Sequence, residues 1–198
     1  MTLVLASTSV SRQAMLRDAG VDFEAVAPGV DESAVKAALL AEGAAARDIA
    51  DALAELKAVR VSNRLSGVLV LGSDQILECS DGELLDKPEG RAGAEAHLRR
   101  LMGTTHRLIC GAVIALDGQP VWRVVDTARL TMRTLSDSFI ADYLAREGDV
   151  VLGSVGAYRI EAVGAQLFSR VEGDHFTIRG LPLLQVLDYL RVRGELAS

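Results

Sequence analysis

The protein has 198 residues, of which 49% are hydrophobic and 24% charged, the proportions of a globular chain rather than a disordered one. A formal net charge of −6 argues against a general binder of nucleic acid or of an anionic membrane, because such binding depends on neutralising phosphates. Cys79 and Cys110 form no CxxC pair, and with three scattered histidines they give no zinc-binding spacing. The apolar runs are too short to cross a bilayer and residues 1–6 lack the basic flank of a signal peptide, so a cytoplasmic protein is expected.

Short apolar runs alternate along the chain with segments of helical period, which predicts an α/β protein. No repeat, linker or low-complexity segment interrupts this pattern, so a single domain over residues 1–198 is expected. The predicted elements, in chain order, are a strand at 3–6, a helix at 11–19 that ends at Gly20, a long helical region from about 33 with an interruption near Gly43, a strand at 68–72 that stops at Ser73, a helix at 91–102, strands at 106–116 and 120–135, a helix at 136–147, strands at 158–160 and 166–171, and a helix at 183–192.

The junction between the first predicted strand and the first helix suits an anion. Free backbone N–H groups and the positive end of the helix dipole meet at such a junction. Ser7, Ser9 and Arg12 lie in it and could add hydrogen bonds to phosphate oxygens. The alternative is that the serines cap the helix, because Ser is a favoured N-cap residue.

Acidic and basic residues elsewhere in the chain could complete a phosphate site. Asp74 follows the second predicted strand, at a sheet edge where ligands bind, so it is either a metal ligand or base, or a simple turn residue. Asp31 and Glu32 could equally be the first-turn acids of a helix. Lys57 and Lys87, each taken alone, would be solvated surface charges. With Arg12, these residues make three acids and three cations from separate segments of the chain. A triphosphate bound together with a divalent metal would require such a set.

A series of short motifs runs through the chain in a defined order. They are the segments at 5–9 with Arg12 and Leu16, at 29–32, at 57–58, at 71–75, at 87–88, at 101–103 with His106, at 156–158, at 173–174 and at 180–183. In their order and spacing these motifs resemble the Maf-like nucleoside triphosphate pyrophosphatases, over essentially the full length of the chain. The combination is far more specific than any one motif.

The resemblance implies a fold, an activity and a set of partners. The implied fold is a mixed, strongly curved sheet with flanking helices, organised as two lobes around a central cleft, and the implied assembly is a homodimer. The implied reaction is hydrolysis of a nucleoside triphosphate between its α and β phosphates, with Mg²⁺ or Mn²⁺ as the cofactor. The family has also been connected with inhibition of septum formation. The alternative to an enzyme is therefore a non-catalytic nucleotide-binding regulator of cell division.

The resemblance also implies roles for individual residues. Asp74 matches the general base that activates water. Ser11 is assigned to substrate binding, although the family usually has Arg or Trp at this position and a serine cannot stack on a base. Carried over by position, the catalytic residues are Asp74, Lys57 and Lys87, the metal ligands are Glu32 and Asp74, and the phosphate-binding residues are Ser7, Ser9 and Arg12.

Two further positions bear on the nucleotide base. Gln75 and Glu161 match the subgroup that acts on 7-methyl-GTP, whereas the subgroup that acts on dTTP and UTP tends to have Thr and Gln there. A carboxylate can accept two hydrogen bonds from the N1–H and 2-amino groups of guanine, but uracil and thymine offer one such donor. Because an unpaired buried group is costly, 7-methyl-GTP is the expected substrate and dTTP or UTP the alternative.

Overall fold

The computed structural model describes residues 3–197, and its strands form one mixed sheet. Met1 and Thr2, the first residues of the N-terminal stretch 1–6, lie outside the described residues, as does Ser198. The strands are β1 Leu3–Leu5, β2 Phe23–Ala25, β3 Val70–Glu78, β4 Leu84–Leu85, β5 Thr105–Leu116, β6 Gln119–Met132 and β7 Phe168–Glu172. They follow the order β2-β1-β3-β5-β6-β7, and β4 pairs with β3. Pairing is parallel between β1 and both β2 and β3, and antiparallel between β3 and β4 and between β6 and β7.

Helices connect these strands. They are α1 Val10–Asp18, α2 Glu32–Ala41, α3 Ala46–Ser62, α4 Gly90–Leu101, α5 Asp137–Glu147, α6 His175–Ile178 and α7 Leu183–Val192, with 3-10 turns at Gly148–Gly153, Val155–Ala157 and Val163–Leu167. The prediction of a mixed α/β fold is confirmed. Within the described range, none of these helices is long and apolar enough to cross a membrane.

The chain divides into two compact units. The first unit contains the residues up to 75, residues 110–126 and the residues from 180 onward, and the second contains residues 76–109 and 127–179. Each unit has its own apolar core. A core cluster of the first unit packs Ala54 and Ala58 of α3 against Val113 and Ala115 of β5.

Helix α3 approaches the sheet closely in the first unit because small residues line the contact. A Cβ atom added to Gly72 of β3 would lie 2.2 Å from the carbonyl oxygen of Ala54 and 2.6 Å from the nitrogen of Ala58. At Gly111 of β5, an added Cβ would lie 2.6 Å from the carbonyl oxygen of Ala50. The backbone of α3 therefore rests directly on two strands, which fixes the side chains that α3 presents there.

The core of the second unit holds a buried aromatic and histidine cluster. His106 on β5 has its Nε2 atom 2.7 Å from the hydroxyl of Tyr158, and the ring of Phe168 packs against both. Tyr143 of α5 is also buried, and its hydroxyl donates to the carbonyl of Ala157 at 3.2 Å. His106 is thus a structural residue of this core.

Several predicted elements differ from the observed ones. The strand predicted at 68–72 is wrong at its end, because β3 continues through Ser73 to Glu78, and Ile76 and Leu77 are buried in it. The strand predicted at 158–160 is wrong, since this segment lies between 3-10 turns and its first residue is held by His106 rather than by a sheet partner. Strands β2 and β4 and helix α6 were not predicted, because elements of two to four residues carry no readable period.

The buried histidine predicts a specific dependence of stability on pH. Burial lowers the pKa of His106 to about 4, so between this value and the ordinary value near 6.5 the unfolded chain binds the extra proton. The free energy of unfolding should therefore fall as the pH drops from about 6.5 to about 4, and His106 alone should account for about 3 kcal/mol of this loss. Urea titrations of His106→Gln between pH 4 and 7 should show a flatter dependence than the parent. The exposed His175→Gln control should keep the parent slope, and an equal slope in His106→Gln would contradict the assignment.

Candidate active site

The loop after β1 is ordered by its own serines. Ser7 is buried and its hydroxyl accepts a hydrogen bond from the backbone nitrogen of Ser9 at 3.1 Å. Ser9 is the N-cap of α1, and its hydroxyl accepts from the backbone nitrogen of Arg12 at 3.4 Å. The capping interpretation therefore holds for Ser9. Ser11 lies half-buried in the first turn of α1.

Arg12 is held by the protein through two of its nitrogens. Its Nε donates to the carbonyl oxygen of Gly180 at 2.7 Å, and its Nη1 donates to the hydroxyl of Ser7 at 3.4 Å. A guanidinium is planar and has five N–H donors, so holding two of its nitrogens also fixes the direction of the remaining donors. Arg12 is thus a rigidly oriented cation rather than a mobile surface charge.

A buried lysine joins two carboxylates from different elements. The Nζ of Lys57 on α3 lies 2.6 Å from Oδ1 of Asp74 and 2.9 Å from Oε2 of Glu32. The Lys57 side chain is 4% exposed, which excludes the surface-charge alternative. Asp31 is the N-cap of α2 and accepts from the nitrogen of Ala34 at 3.0 Å, and this bond lowers the pKa of the Asp31 carboxyl. Capping is therefore the role of Asp31, and Glu32 is both a first-turn acid and a partner of the lysine.

Asp74 lies inside β3, and the expectation that it ends a strand is wrong. The strand continues past Asp74. The polar residue before it, Ser73, can be buried in the strand because its hydroxyl is hydrogen-bonded to buried backbone carbonyls. Burial raises the pKa of Asp74, and the charges of Lys57 and Arg12 act in the opposite direction. A buried carboxylate with two cations nearby is the environment in which an acid or base can be tuned.

Ser73 and Gly180 also belong to the site, although neither is among the predicted site residues. The hydroxyl of Ser73, which is fully buried, is 2.8 Å from the carbonyl of Gly111 and 3.1 Å from the carbonyl of Gly180. The thiol of Cys110 lies 3.6 Å from the same hydroxyl, and burial raises its pKa to about 11. Both residues fall inside the recognised motifs at 71–75 and 180–183, and this was the signal available in the sequence.

The first unit therefore brings together most of the predicted site residues, and the second unit contains the other two. Lys87 is exposed in the connection between β4 and α4. Glu161 lies between 3-10 turns, and its Oε1 is 3.5 Å from Nε of Arg159. The predicted residues of the first unit are Ser7, Ser9, Ser11, Arg12, Glu32, Lys57, Asp74 and Gln75.

One group of three potential metal ligands occurs among residues 3–197, and it lies outside this site. It consists of Cys79, Asp81 and Glu83 in the second unit. Arg100 forms ion pairs with both carboxylates, with its Nε 3.1 Å from Oε2 of Glu83. The predicted metal ligands Glu32 and Asp74 offer carboxylate oxygens alone, which is the donor type that Mg²⁺ and Mn²⁺ prefer.

The site of the first unit combines acids paired with a buried lysine and an oriented arginine near a strand–loop–helix junction, an arrangement that suits a phosphorylated ligand. The family model described as "Maf-like protein" matches residues 2–193, and the chain therefore belongs to the Maf-like family. Two relatives, each named "Nucleoside triphosphate pyrophosphatase", come from Caulobacter vibrioides and Sphingopyxis alaskensis. Each is 53% identical over 194 residues, covering 98% of this chain and 96% and 98% of the relative.

A third relative carries a numbered form of the same name. "Nucleoside triphosphate pyrophosphatase 1" from Jannaschia sp. is 52% identical over 195 residues, covering 98% of both chains. These alignments extend over essentially the whole chain. The resemblance to the Maf-like family is thereby confirmed.

Proposed function

We propose that the protein is a nucleoside triphosphate pyrophosphatase, which hydrolyses the bond between the α and β phosphates and releases pyrophosphate. The observation that carries the proposal is the contact of Lys57 Nζ with Asp74 Oδ1 at 2.6 Å and with Glu32 Oε2 at 2.9 Å, in the unit that also fixes Arg12. The names of the three relatives support the same reaction.

Asp74 acts as the general base in this proposal. A water oxygen forms a bond to phosphorus, the bridging P–O bond between the α and β phosphates breaks, and the water proton passes to the Asp74 carboxylate. Burial raises the pKa of this carboxyl and so makes it a stronger base, whereas Lys57 and Arg12 keep it ionised. No covalent intermediate with the protein is required.

The cations of the site neutralise charge on the phosphates. Arg12 presents a fixed guanidinium, which suits the planar recognition of phosphate oxygens. In the proposed reaction Arg12 and Lys57 stabilise the charge that develops on the leaving pyrophosphate. Lys87 is assigned the same role, and Ser7, Ser9 and Ser11 are assigned to the phosphate-binding loop.

We further propose Mg²⁺ or Mn²⁺ as the cofactor, held by Glu32 and Asp74. The fit rests on the donor set and on its convergence, because one carboxylate oxygen from each residue already lies within 3 Å of a single positive charge, the Lys57 ammonium. When bound, such an ion lowers the pKa of a water molecule and neutralises phosphate charge. The homodimer implied by the family resemblance, and the cytoplasmic location expected from the sequence, complete the proposal.

Release of pyrophosphate from a panel of triphosphates tests the function directly. The panel contains 7-methyl-GTP, GTP, dTTP, UTP, CTP and ITP, each with Mg²⁺ or Mn²⁺. Release from one or more of these supports the proposed reaction. Absence of release from all of them, together with nucleotide binding, would overturn it in favour of a non-catalytic regulator.

Within this reaction we propose 7-methyl-GTP as the substrate, read by Gln75 and Glu161. Glu161→Gln should lower the ratio of kcat/KM for 7-methyl-GTP to that for UTP by about 10- to 100-fold, because an amide cannot accept both guanine N–H bonds. Glu172→Gln is the matched control, since Glu172 is also paired with an arginine two residues away, at 2.9 Å. A ratio unchanged by Glu161→Gln, or a parent preference for dTTP or UTP, would contradict the assignment.

A further inference from the structure

The direction of the Arg12 guanidinium depends on one backbone carbonyl. Its Nε donates to the oxygen of Gly180 at 2.7 Å, the shorter of its two contacts within the first unit, and the bond to Ser7 is 3.4 Å long. The two residues are 168 positions apart in the chain. The geometry of this arginine is therefore set by a distant turn and not by its own helix alone.

The Gly180 carbonyl also accepts from the hydroxyl of Ser73, whose single hydrogen is shared between this carbonyl and that of Gly111. The hydroxyl of Ser73, fully buried in β3, lies 3.1 Å from the Gly180 carbonyl and 2.8 Å from the carbonyl of Gly111 on β5. Gly180 has φ of +100°, in the region that residues with a side chain rarely adopt. The buried hydroxyl and the glycine conformation together determine where this carbonyl points.

The missing side chain of Gly180 also faces two proposed substrate-binding residues. A Cβ atom there would lie 3.6 Å from Nη2 of Arg12 and 3.8 Å from Oε1 of Gln75. The space beside the guanidinium and the amide is thus kept open by a glycine. A side chain at this position would enter between the residue assigned to the phosphates and the residue assigned to the base.

We propose that Ser73 and Gly180 are positioning residues, which orient the Arg12 guanidinium toward the substrate phosphates through the Gly180 carbonyl. Neither residue touches the substrate, and the inference rests on the proposed function. An arginine that is already held loses less conformational freedom when the substrate binds, and its charge needs no rearrangement during the reaction. Loss of the Ser73 hydroxyl should therefore reduce catalysis by way of Arg12.

A double-mutant cycle of Ser73→Ala and Arg12→Ala tests this coupling, with kcat/KM for pyrophosphate release from the best triphosphate of the panel as the readout. In the parent background Ser73→Ala should lower kcat/KM about tenfold, and in the Arg12→Ala background less than about twofold. Ser62→Ala is the matched control, because Ser62 is a buried serine of the same unit whose hydroxyl accepts from the nitrogen of Gly118 at 3.0 Å. It should keep the parent kcat/KM.

The outcomes separate this inference from the function on which it rests. Equal effects of Ser73→Ala in both backgrounds, or no effect in the parent, would overturn the positioning role while the enzyme remains active. No turnover by the parent would overturn the proposed function itself.

A second pair of variants applies if Ser73→Ala does not fold. Gly180→Ala replaces it in the cycle, with Gly82→Ala as the control, because Gly82 has φ of +90° and nothing within 4 Å of an added Cβ. Both variants carry backbone strain. Gly180→Ala should lower kcat/KM in the parent background and much less in the Arg12→Ala background. Equal turnover in the two variants would overturn the inference.

Discussion

Asp74→Asn should reduce kcat for pyrophosphate release by about 10³-fold, because an amide cannot accept the proton of the attacking water. The side chain is buried, and its Oδ1 lies 2.6 Å from Lys57 Nζ, a contact that the amide oxygen can keep. The affinity for the nucleotide should therefore stay within a few-fold of the parent value. Initial rates and equilibrium binding, measured on the same preparation, give both quantities.

Asp31→Asn is the matched control for this substitution. Asp31 is the exposed N-cap of α2, next to Glu32, and Asn is as good an N-cap as Asp. It should leave kcat near the parent value. An Asp74→Asn protein that retains turnover would disprove the general-base assignment, whereas a regulator of cell division should keep both its binding and its cellular effect after this substitution.

Gly72→Ala should destabilise the protein by about 3 kcal/mol or more, at the upper end of what overpacking a core costs. The added methyl group would lie 2.2 Å from the Ala54 oxygen and 2.6 Å from the Ala58 nitrogen. These are backbone atoms of α3, which cannot rotate away as a side chain could. Relief requires the helix to move off β3, and Lys57 would move with it, so turnover should fall as well.

Denaturant unfolding and turnover of the Gly72→Ala protein check both effects. Gly153→Ala provides the control, because an added Cβ there has nothing within 4 Å and the backbone φ is not in the left-handed region. Its free energy of unfolding should match that of the parent closely. A Gly72→Ala protein with parental stability would mean that α3 does not rest on β3 as closely as described.

The sequence predicted the longer elements well because their period or their caps are local. The interruption near Gly43 separates α2 from α3, and Gly148 ends α5 as expected. Residues 73–75 predict the end of a strand, because three polar residues in a row lack the alternation of a half-buried strand. They remain in β3 because Ser73 finds buried carbonyl partners that are distant in the chain, and no local pattern encodes those partners.

The candidate site was predicted unevenly for the same reason. Position and charge already single out Asp74, Glu32 and Lys57 in the sequence, but the sequence pattern taken at Lys57 alone predicts a solvated surface charge. Its burial follows from the close approach of α3 to the sheet, which depends on Gly72 and Gly111. Glu161 directly follows the predicted strand at 158–160, which does not form, because a segment among 3-10 turns has neither the helical nor the strand period.

The buried thiol beside Ser73 has a consequence for the chemistry of oxidation. Cysteine reacts with oxidants and alkylating agents as the thiolate, and burial raises the pKa of both Cys110 and Cys79, which leaves little thiolate at neutral pH. These are the two cysteines of the whole sequence. The buried thiol in the core of the site should therefore react slowly, and a cysteine introduced on the surface should be the preferred position for attaching a probe.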